Sequence, residues 1–243
     1  MATGAALDIQ VDRKALTGGD VLFRDLHLQV APSEVLALVG PSGVGKSTLL
    51  RLIAGADRDF AGTITIDKVR VRDAPPPGFV FQDPRLLPWL DAVANVRSAA
   101  PDVSRERALD LLGRVGLEGA GATLPHMLSG GMARRVALAR ALALSSRLLL
   151  LDEPFVSLDA DLVTALRRLL TDLLERHPAT VILVSHVPED AAWLADRIVV
   201  LKDRPVTIAD DFRVETPRDR RTPEGMSDVV RRIESAGKTA PRG

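Results

Sequence analysis

The sequence contains no cysteine, and this absence excludes both a disulfide framework and a zinc site built from thiolates. Basic and acidic residues number 32 each, so the net charge is zero and gives no indication of a nucleic-acid partner. The N-terminus lacks the basic and long apolar segments of a signal peptide. The longest apolar runs, such as residues 148–151, have the length of a strand and are too short to span a bilayer. We therefore expect the protein to act at a membrane only through a partner.

The most informative stretch matches the phosphate-loop pattern G-x-x-x-x-G-K-[ST]. It follows an apolar, strand-like run at residues 35–39 and precedes a helical pattern, which is the context that the motif requires. Its glycines let successive backbone N–H groups point at one anion, and the helix N-terminus adds positive partial charge. We expect Lys46 to reach the β- and γ-phosphates of a nucleotide and Ser47 to hold Mg²⁺. The predicted nucleotide-binding residues here are Gly40, Pro41, Ser42, Gly43, Val44, Gly45, Lys46, Ser47 and Thr48.

The periodicity of apolar residues predicts an α/β fold with a mainly parallel sheet. Apolar runs at residues 148–151, 180–186 and 197–202 alternate with helical patterns, which is typical of parallel strands covered on both faces. Alternating patterns before and after the phosphate loop predict an N-terminal antiparallel β region. Between strands, the chain from about Asp83 to Leu144 is mainly helical, with helices expected over 103–115 and 129–144. A short terminal helix is expected from Thr222 to Ile233, followed by disorder from Ser235.

Polar residues stand at the carboxyl ends of three apolar strands. They are Gln82, Asp152 with the adjacent Glu153, and His186. In an open α/β sheet, ligands bind at these strand ends, and the phosphate loop also follows the carboxyl end of its strand. We therefore expect all four elements to face one bound nucleotide.

A loop rich in proline and apolar residues follows Gln82 and includes Leu86, Leu87 and Trp89. Two interpretations remain open for Trp89. It fills a local core, which is common, or it belongs to a docking surface for another protein.

The chain resembles the ATP-binding subunits of ABC transporters over nearly its whole length. The resemblance rests on Leu128-Ser129-Gly130-Gly131-Met132, similar to the family's signature, on Ser157-Leu158-Asp159, similar to its D-loop, and on His186, similar to its switch histidine. The stretch from Phe81 to Trp89, with Met132, is similar to importers of nitrate, aliphatic sulfonates and taurine. The resemblance implies one ATPase domain over residues 1–243 with a P-loop ATPase core, a helical subdomain at about 83–145 and a charged C-terminal extension at about 213–243.

The resemblance also implies a role for each residue at the strand ends. Glu153 would polarise the attacking water, and His186 would donate to the γ-phosphate. Gln82 would contact Mg²⁺ or water and report the nucleotide's presence to a partner. Asp152, with Ser47 and Gln82, would hold Mg²⁺, largely through water, because this ion takes few carboxylates.

A second copy of the chain is the first partner that the resemblance implies. Ser129, Gly130 and Gly131 stand at a predicted helix N-terminus, which suits phosphate, but they cannot easily reach their own chain's nucleotide. In the family they contact ATP held by the other copy, so two chains would sandwich two ATP molecules. Asp159 would then lie at the interface.

Membrane partners complete the expected assembly. The resemblance implies a peripheral protein on the cytoplasmic face of the inner membrane, with integral membrane permease subunits docking on the surface from Gln82 to Leu90. An extracytoplasmic substrate-binding protein would act indirectly, and no nucleic acid is expected. ATP hydrolysis would then power import of nitrate, a sulfonate, taurine or a related small solute.

Three positions depart from the family's pattern. A base-stacking aromatic often stands near the position of Leu16, and this chain has no tyrosine, which leaves aliphatic contact for adenine. Ser33 stands where glycine is frequent, and Arg134 where glutamine is common.

Two other function classes remain open at this point. A soluble ABC ATPase outside transport usually has long insertions or paired ATPase domains, and this chain has neither. A P-loop kinase would need no Ser-Gly-Gly signature.

Overall fold

The computed structural model describes residues 4–144, 146–156, 158–176 and 178–238. Within these ranges the strands are β1 (Leu7–Ala15), β2 (Val21–Val30), β3 (Val35–Val39), β4 (Ala61–Ile66), β5 (Val69–Arg70), β6 (Gly78–Val80), β7 (Leu148–Asp152), β8 (Thr180–Ser185), β9 (Arg197–Lys202) and β10 (Thr207–Arg213). The α-helices of the same ranges are α1 (Lys46–Ile53), α2 (Ala92–Ala99), α3 (Arg105–Arg114), α4 (Gly130–Ala143), α5 (Ala160–Arg176), α6 (Pro188–Leu194) and α7 (Ser227–Gly237).

The larger sheet has the strand order β10-β9-β3-β8-β7-β6. All of its neighbouring pairs are parallel except β9 and β10. Strands β3, β7 and β8 are buried along their whole length, as the apolar runs at residues 35–39, 148–151 and 181–184 predict. The carboxyl ends of the parallel strands therefore lie along one edge, with the phosphate-loop strand β3 between β8 and β9.

The smaller sheet is antiparallel and has the order β2-β1-β4-β5. It covers one face of the larger sheet, and the alternation of side chains along β3 shows how. Leu36 and Leu38 pack in one hydrophobic cluster with residues of β1, β2 and α1. Val35, Ala37 and Val39 pack in the other cluster, with residues of α4, α5 and α6. The predicted α/β fold with a separate antiparallel region is confirmed.

The helical insertion between β6 and β7 contains one helix that the sequence reading did not identify. Helices α3 and α4 lie where they were predicted, and their N-cap residues Ser104 and Ser129 accept hydrogen bonds from the backbone N–H groups of Arg107 and Met132. The missed helix is α2, whose N-cap is Asp91. It is only eight residues long, so its apolar periodicity is too brief to stand out.

Three further predictions of secondary structure were wrong. The strand expected to end in Gln82 ends at Val80, so Gln82 lies in the following loop. Strand β10 was not predicted, and it pairs antiparallel with β9 at the sheet edge. Helix α7 starts at Ser227 and runs to Gly237, into the segment expected to be disordered, because its apolar side packs against α6, β9 and β10. The remaining tail, residues 239–243, lies outside the described residues.

Two arginines of the C-terminal extension hold the end of α6. Buried Arg221 donates from Nη1 to the carbonyl oxygens of Ala192 at 3.1 Å and Trp193 at 2.8 Å. Arg218 donates from Nε to the carbonyl oxygen of Leu194 at 2.8 Å. The last carbonyls of a helix have no partner within the helix, so these guanidinium groups satisfy them. Burial lowers the pKa of Arg221 to about 10, which leaves the side chain charged at neutral pH.

None of the helices in the described part of the chain has both the length and the apolar composition needed to cross a membrane.

Replacing Arg221 by alanine should lower the free energy of unfolding by about 2–4 kcal/mol. The change removes buried hydrogen bonds to charged nitrogen and leaves carbonyl groups of α6 without a partner. Denaturant unfolding measures the effect, and Arg220→Ala is the matched control, because Arg220 is exposed and has no side-chain hydrogen bond or ion pair among the described residues. The control should change stability by no more than about 0.5 kcal/mol. Equal losses in both variants would contradict the role given to Arg221.

Candidate functional site

The phosphate loop connects β3 to α1, and its shape depends on glycine. A Cβ atom added to Gly40 would lie 2.3 Å from the carbonyl oxygen of Leu201, which no other residue type allows. Gly45, with a φ of 125°, directly precedes the first residue of α1. Ser42 is exposed, whereas Val44 is buried in the hydrophobic cluster of the smaller sheet.

The side chain of Lys46 is hydrogen-bonded to the backbone of this loop. Its Nζ donates to the carbonyl oxygens of Gly40 at 2.6 Å and Pro41 at 3.0 Å. The residue is only 4% exposed, and burial lowers the pKa of its ammonium group, while the carboxylates of Glu153 and Asp152 oppose this shift. The ammonium group is therefore held beside two acidic residues and the loop that would receive phosphate.

Asp152, the last residue of β7, is joined to the phosphate loop by a direct hydrogen bond. Ser47 Oγ donates to Asp152 Oδ1 at 2.9 Å. Burial raises the pKa of Asp152 above its usual value. The hydrogen bond from Ser47 lowers this pKa, and the nearby negative charge of Glu153 raises it further. Two hard oxygen atoms thus meet at the start of α1, and such a pair suits Mg²⁺.

Glu153 is the point at which three strand ends converge. Its Oε1 lies 3.0 Å from His186 Nδ1, which follows β8, and its Oε2 accepts from Gln82 Nε2, which follows β6, at 3.4 Å. The carboxylate is 12% exposed. The structure thus brings Gln82, Glu153 and His186 together, close to Lys46 and Asp152.

The backbone of Glu153 has the left-handed φ of 51°. This conformation costs a non-glycine residue about 1–2 kcal/mol. The N–H of Glu153 is held by the carbonyl oxygen of Val184 at 2.9 Å, across the β7–β8 pair. The sheet therefore stabilises a strained turn. At this turn the Asp152 carboxylate contacts Ser47, whereas the adjacent Glu153 carboxylate contacts Gln82 and His186.

The signature residues lie apart from this cluster. Ser129 Oγ accepts from the backbone N–H of Met132, and Gly130 and Gly131 form the first turn of α4. Among the described residues, no hydrogen bond or ion pair joins residues 129–131 to the phosphate loop. Gly130 and Gly131 line a groove of about 700 Å³ together with Asp83, Pro84, Arg85, Leu86, Pro125, Ala133 and Arg134.

Asp159 is exposed and stands just before α5. Its Oδ1 accepts from the backbone N–H of Leu162 at 2.9 Å, as an N-cap side chain does. Ser157, the first residue of the predicted D-loop, lies outside the described residues. Arg134, at the position where glutamine is common, donates to the carbonyl oxygen of Val156 in the segment after β7.

Trp89 does not fill a local core, so that interpretation was wrong. Its side chain is 72% exposed. The loop that carries it is fixed from below by Asn95 of α2, which is fully buried. Asn95 Oδ1 accepts from the N–H of Leu87 at 2.8 Å, and Nδ2 donates to the carbonyl oxygen of Leu90 at 2.8 Å. The loop therefore presents an exposed tryptophan on a rigid base.

Three polar residues near the site were missed from the sequence. Asn95 could have been noticed as a polar residue on the apolar side of a short helix. Arg140 of α4 donates to the carbonyl oxygens of Pro84 at 2.8 Å and Arg85 at 2.9 Å, which ties the signature helix to the same loop. Arg204, after β9, donates to the carbonyl oxygen of Gly43 in the phosphate loop. The last two contacts join distant parts of the chain and leave no local signal.

The side chains at this site do not form a metal centre in which the protein supplies every ligand. Across the ranges that the structure describes, no group of three or more His, Cys, Asp or Glu side chains is arranged to hold an ion. Mg²⁺ does not need such a group, because it is commonly bound by one or two carboxylates together with substrate phosphates and water. The oxygen atoms of Ser47 and Asp152 fit this mode, and the amide of Gln82 lies in the same cluster through Glu153.

Comparison with known proteins gives a consistent result. The family model described as ABC transporter matches residues 23–156. The chain is 48% identical over 207 residues to the aliphatic sulfonates import ATP-binding protein SsuB 1 of Xanthomonas axonopodis pv. citri, covering 82% of each chain. It is 47% identical over 223 residues to SsuB 2 of Burkholderia lata, covering 89% of this chain and 81% of that protein.

Solved structures show the same architecture. One is a dimeric ATP-binding cassette in a post-hydrolysis state, bound to ADP and Pi, with a TM-score of 0.77 and 29% identity over 88% of this chain and 100% of that chain. Another is a part of the ABC transporter complex cbiONQ from Clostridium perfringens, with a TM-score of 0.68 and 26% identity over 81% of this chain and 84% of that one.

Proposed function

The chain belongs to the ABC transporter family, and from this premise we propose that it binds and hydrolyses ATP to power a membrane importer. The observation that carries the proposal is the position of the Glu153 carboxylate, between Gln82 and His186 and beside Lys46. The named curated relatives are import proteins for aliphatic sulfonates, so the transported solute is an aliphatic sulfonate or a similar small anion.

The phosphate loop and Lys46 hold the triphosphate. In the free protein the Lys46 ammonium group donates to two loop carbonyls, and phosphate oxygens replace them when nucleotide binds. The exchange is favourable because hydrogen bonds between an ammonium group and a phosphate are charge-assisted. The backbone N–H groups at the start of α1 add to the attraction.

Ser47, Asp152 and Gln82 would hold Mg²⁺ with the nucleotide. The hydrogen-bonded oxygen pair of Ser47 and Asp152, at the end of a buried strand, supports this assignment. When bound, the ion supplies positive charge that neutralises the phosphate oxygens.

Glu153 acts on the attacking water. Its carboxylate accepts a proton from the water as the water oxygen forms a bond to the γ-phosphorus and the bond from phosphorus to the leaving oxygen of ADP breaks; ADP and phosphate are released, and the proton leaves Glu153 with them or to solvent. His186 Nδ1 faces Glu153, and the imidazole would donate to an oxygen of the γ-phosphate. Gln82 holds the other carboxylate oxygen and begins the loop that carries Trp89.

A second copy completes the site. Within one chain the signature residues Ser129–Gly131 stand apart from the phosphate loop, although a helix N-terminus suits phosphate. Two chains arranged head to tail place the signature of one against the nucleotide of the other, with Asp159 at the interface. The relative bound to ADP and Pi was solved as a dimer, which supports this arrangement.

Permease subunits dock on the surface from Gln82 to Leu90. The exposed Trp89 on a base fixed by Asn95 supports this assignment, because an apolar anchor on a rigid element is typical of interface centres. The protein then lies on the cytoplasmic face of the inner membrane, and an extracytoplasmic binding protein delivers the solute.

Glu153→Gln should bind ATP but hydrolyse it at least about 100-fold more slowly, because the amide is a much weaker base than the carboxylate. With ATP and Mg²⁺ the variant should elute from gel filtration as a dimer. Lys46→Ala in the Glu153→Gln background is the control, and it should remain a monomer because it lacks the phosphate contact. Unchanged turnover in Glu153→Gln would reject the proposed chemistry.

Trp89→Ala should reduce recovery of the membrane partner when the tagged protein is purified from gently solubilised membranes of its source cell. Leu109→Ala is the matched control, because Leu109 is an exposed apolar residue on α3, outside the proposed surface. A polytopic membrane protein whose recovery falls only with Trp89→Ala is the expected result. Recovery from the soluble fraction alone would favour a soluble ABC ATPase outside transport.

A further inference from the structure

Asp190, Ser185 and Arg167 form a polar network next to His186. These residues have no role in the chemistry proposed above. Asp190, in the first turn of α6, is 3% exposed. Its Oδ2 accepts from Ser185 Oγ at 2.8 Å, and its Oδ1 accepts from Arg167 Nη2 of α5 at 2.5 Å. One carboxylate thus joins the end of β8 to both α5 and α6.

The Ser185 hydroxyl makes a second contact that spans His186. It accepts from the backbone N–H of Val187 at 3.0 Å while it donates to Asp190. The residues on both sides of His186 are therefore tied to one oxygen atom. The backbone N–H of Asp190 also donates to the carbonyl oxygen of Val187 at 3.1 Å, which closes the turn from β8 into α6.

The chemistry of a carboxylate explains why this network has a single arrangement. An ionised carboxylate only accepts hydrogen bonds, so both Ser185 and Arg167 must donate to Asp190. The lone pairs of the Ser185 oxygen are then left for the N–H of Val187. An amide at position 190 would present an N–H group to one of these donors, and the arrangement would be lost.

Arg167 extends the network to the segment after β7 that carries Glu153. Its guanidinium carbon lies 5.8 Å from the ring centre of Phe155, which is buried two residues after Glu153. Arg167 therefore contacts both the segment that carries Glu153 and the helix that follows His186, the two residues that form the Glu153–His186 pair.

We propose that Asp190 is a positioning residue for ATP hydrolysis, which holds the turn carrying His186 beside Glu153 through the Ser185 hydroxyl. The inference rests on the proposed function. The network explains how the partly exposed side chain of His186 keeps one position. The backbone on either side of His186 is held by the buried side chains of Ser185 and Asp190.

Ser185→Ala and Asp190→Asn should each lower kcat about tenfold and leave the Kd for ATP within about twofold, because a small misplacement slows the chemical step more than binding. Ser185→Thr is the matched control, since it keeps the hydroxyl, and it should restore most of the activity. The deciding measurement repeats Ser185→Ala in a His186→Ala background. There it should cause no further loss, because the residue that it positions is already absent.

An equal fractional loss in both backgrounds would overturn the inference, since Ser185 would then act on something other than His186. A fall in ATP affinity that accounts for the whole loss would overturn it as well. If Asp190→Asn fails to fold, the Ser185 pair still decides the question. An inactive wild-type protein would instead reject the proposed function, so the two failures are distinguishable.

Discussion

Five parallel strands end at one edge of the larger sheet, and this geometric constraint determines where the chemistry lies. The middle of a buried parallel strand is apolar, so its polar residues stand at its ends or directly after them. Gln82, Glu153 and His186 follow three of these strands and meet at one carboxylate. The phosphate loop follows a fourth strand, and the hydrogen bond from Ser47 joins it to Asp152, the residue before Glu153.

The sequence allowed this convergence to be predicted because it depends on local features. The apolar runs of β7 and β8 have the length of a strand, which predicts the strands themselves. Because parallel strands end at the same edge of a sheet, the residues that follow them are predicted to lie close together. Helix α2 and strand β10 were missed because neither has a periodic pattern long enough to outweigh the surrounding loops. Helix α7 was placed too early and ended too soon, since its boundaries depend on packing against α6, β9 and β10.

The supporting contacts could not be predicted, because they join residues far apart in the chain. Ser185 and Asp190 are five residues apart, but Arg167 comes from another helix. Arg221 of the C-terminal extension holds the other end of α6 through two backbone carbonyls. Helix α6 is thus fixed at both ends, and the extension that composition alone marks as polar and charged is part of the support around His186.

In the proposed arrangement one chain holds only half of each nucleotide site, since residues 129–131 stand apart from the phosphate loop. The absence of cysteine allows a direct test. Copies carrying only Ser42→Cys are mixed with copies carrying only Met127→Cys, both in the Glu153→Gln background, and treated with a short bifunctional maleimide; both native residues are exposed. The expected result is a cross-link between the two kinds of copy that requires ATP. The absence of any ATP-dependent cross-link, while ATP binding persists, would contradict it.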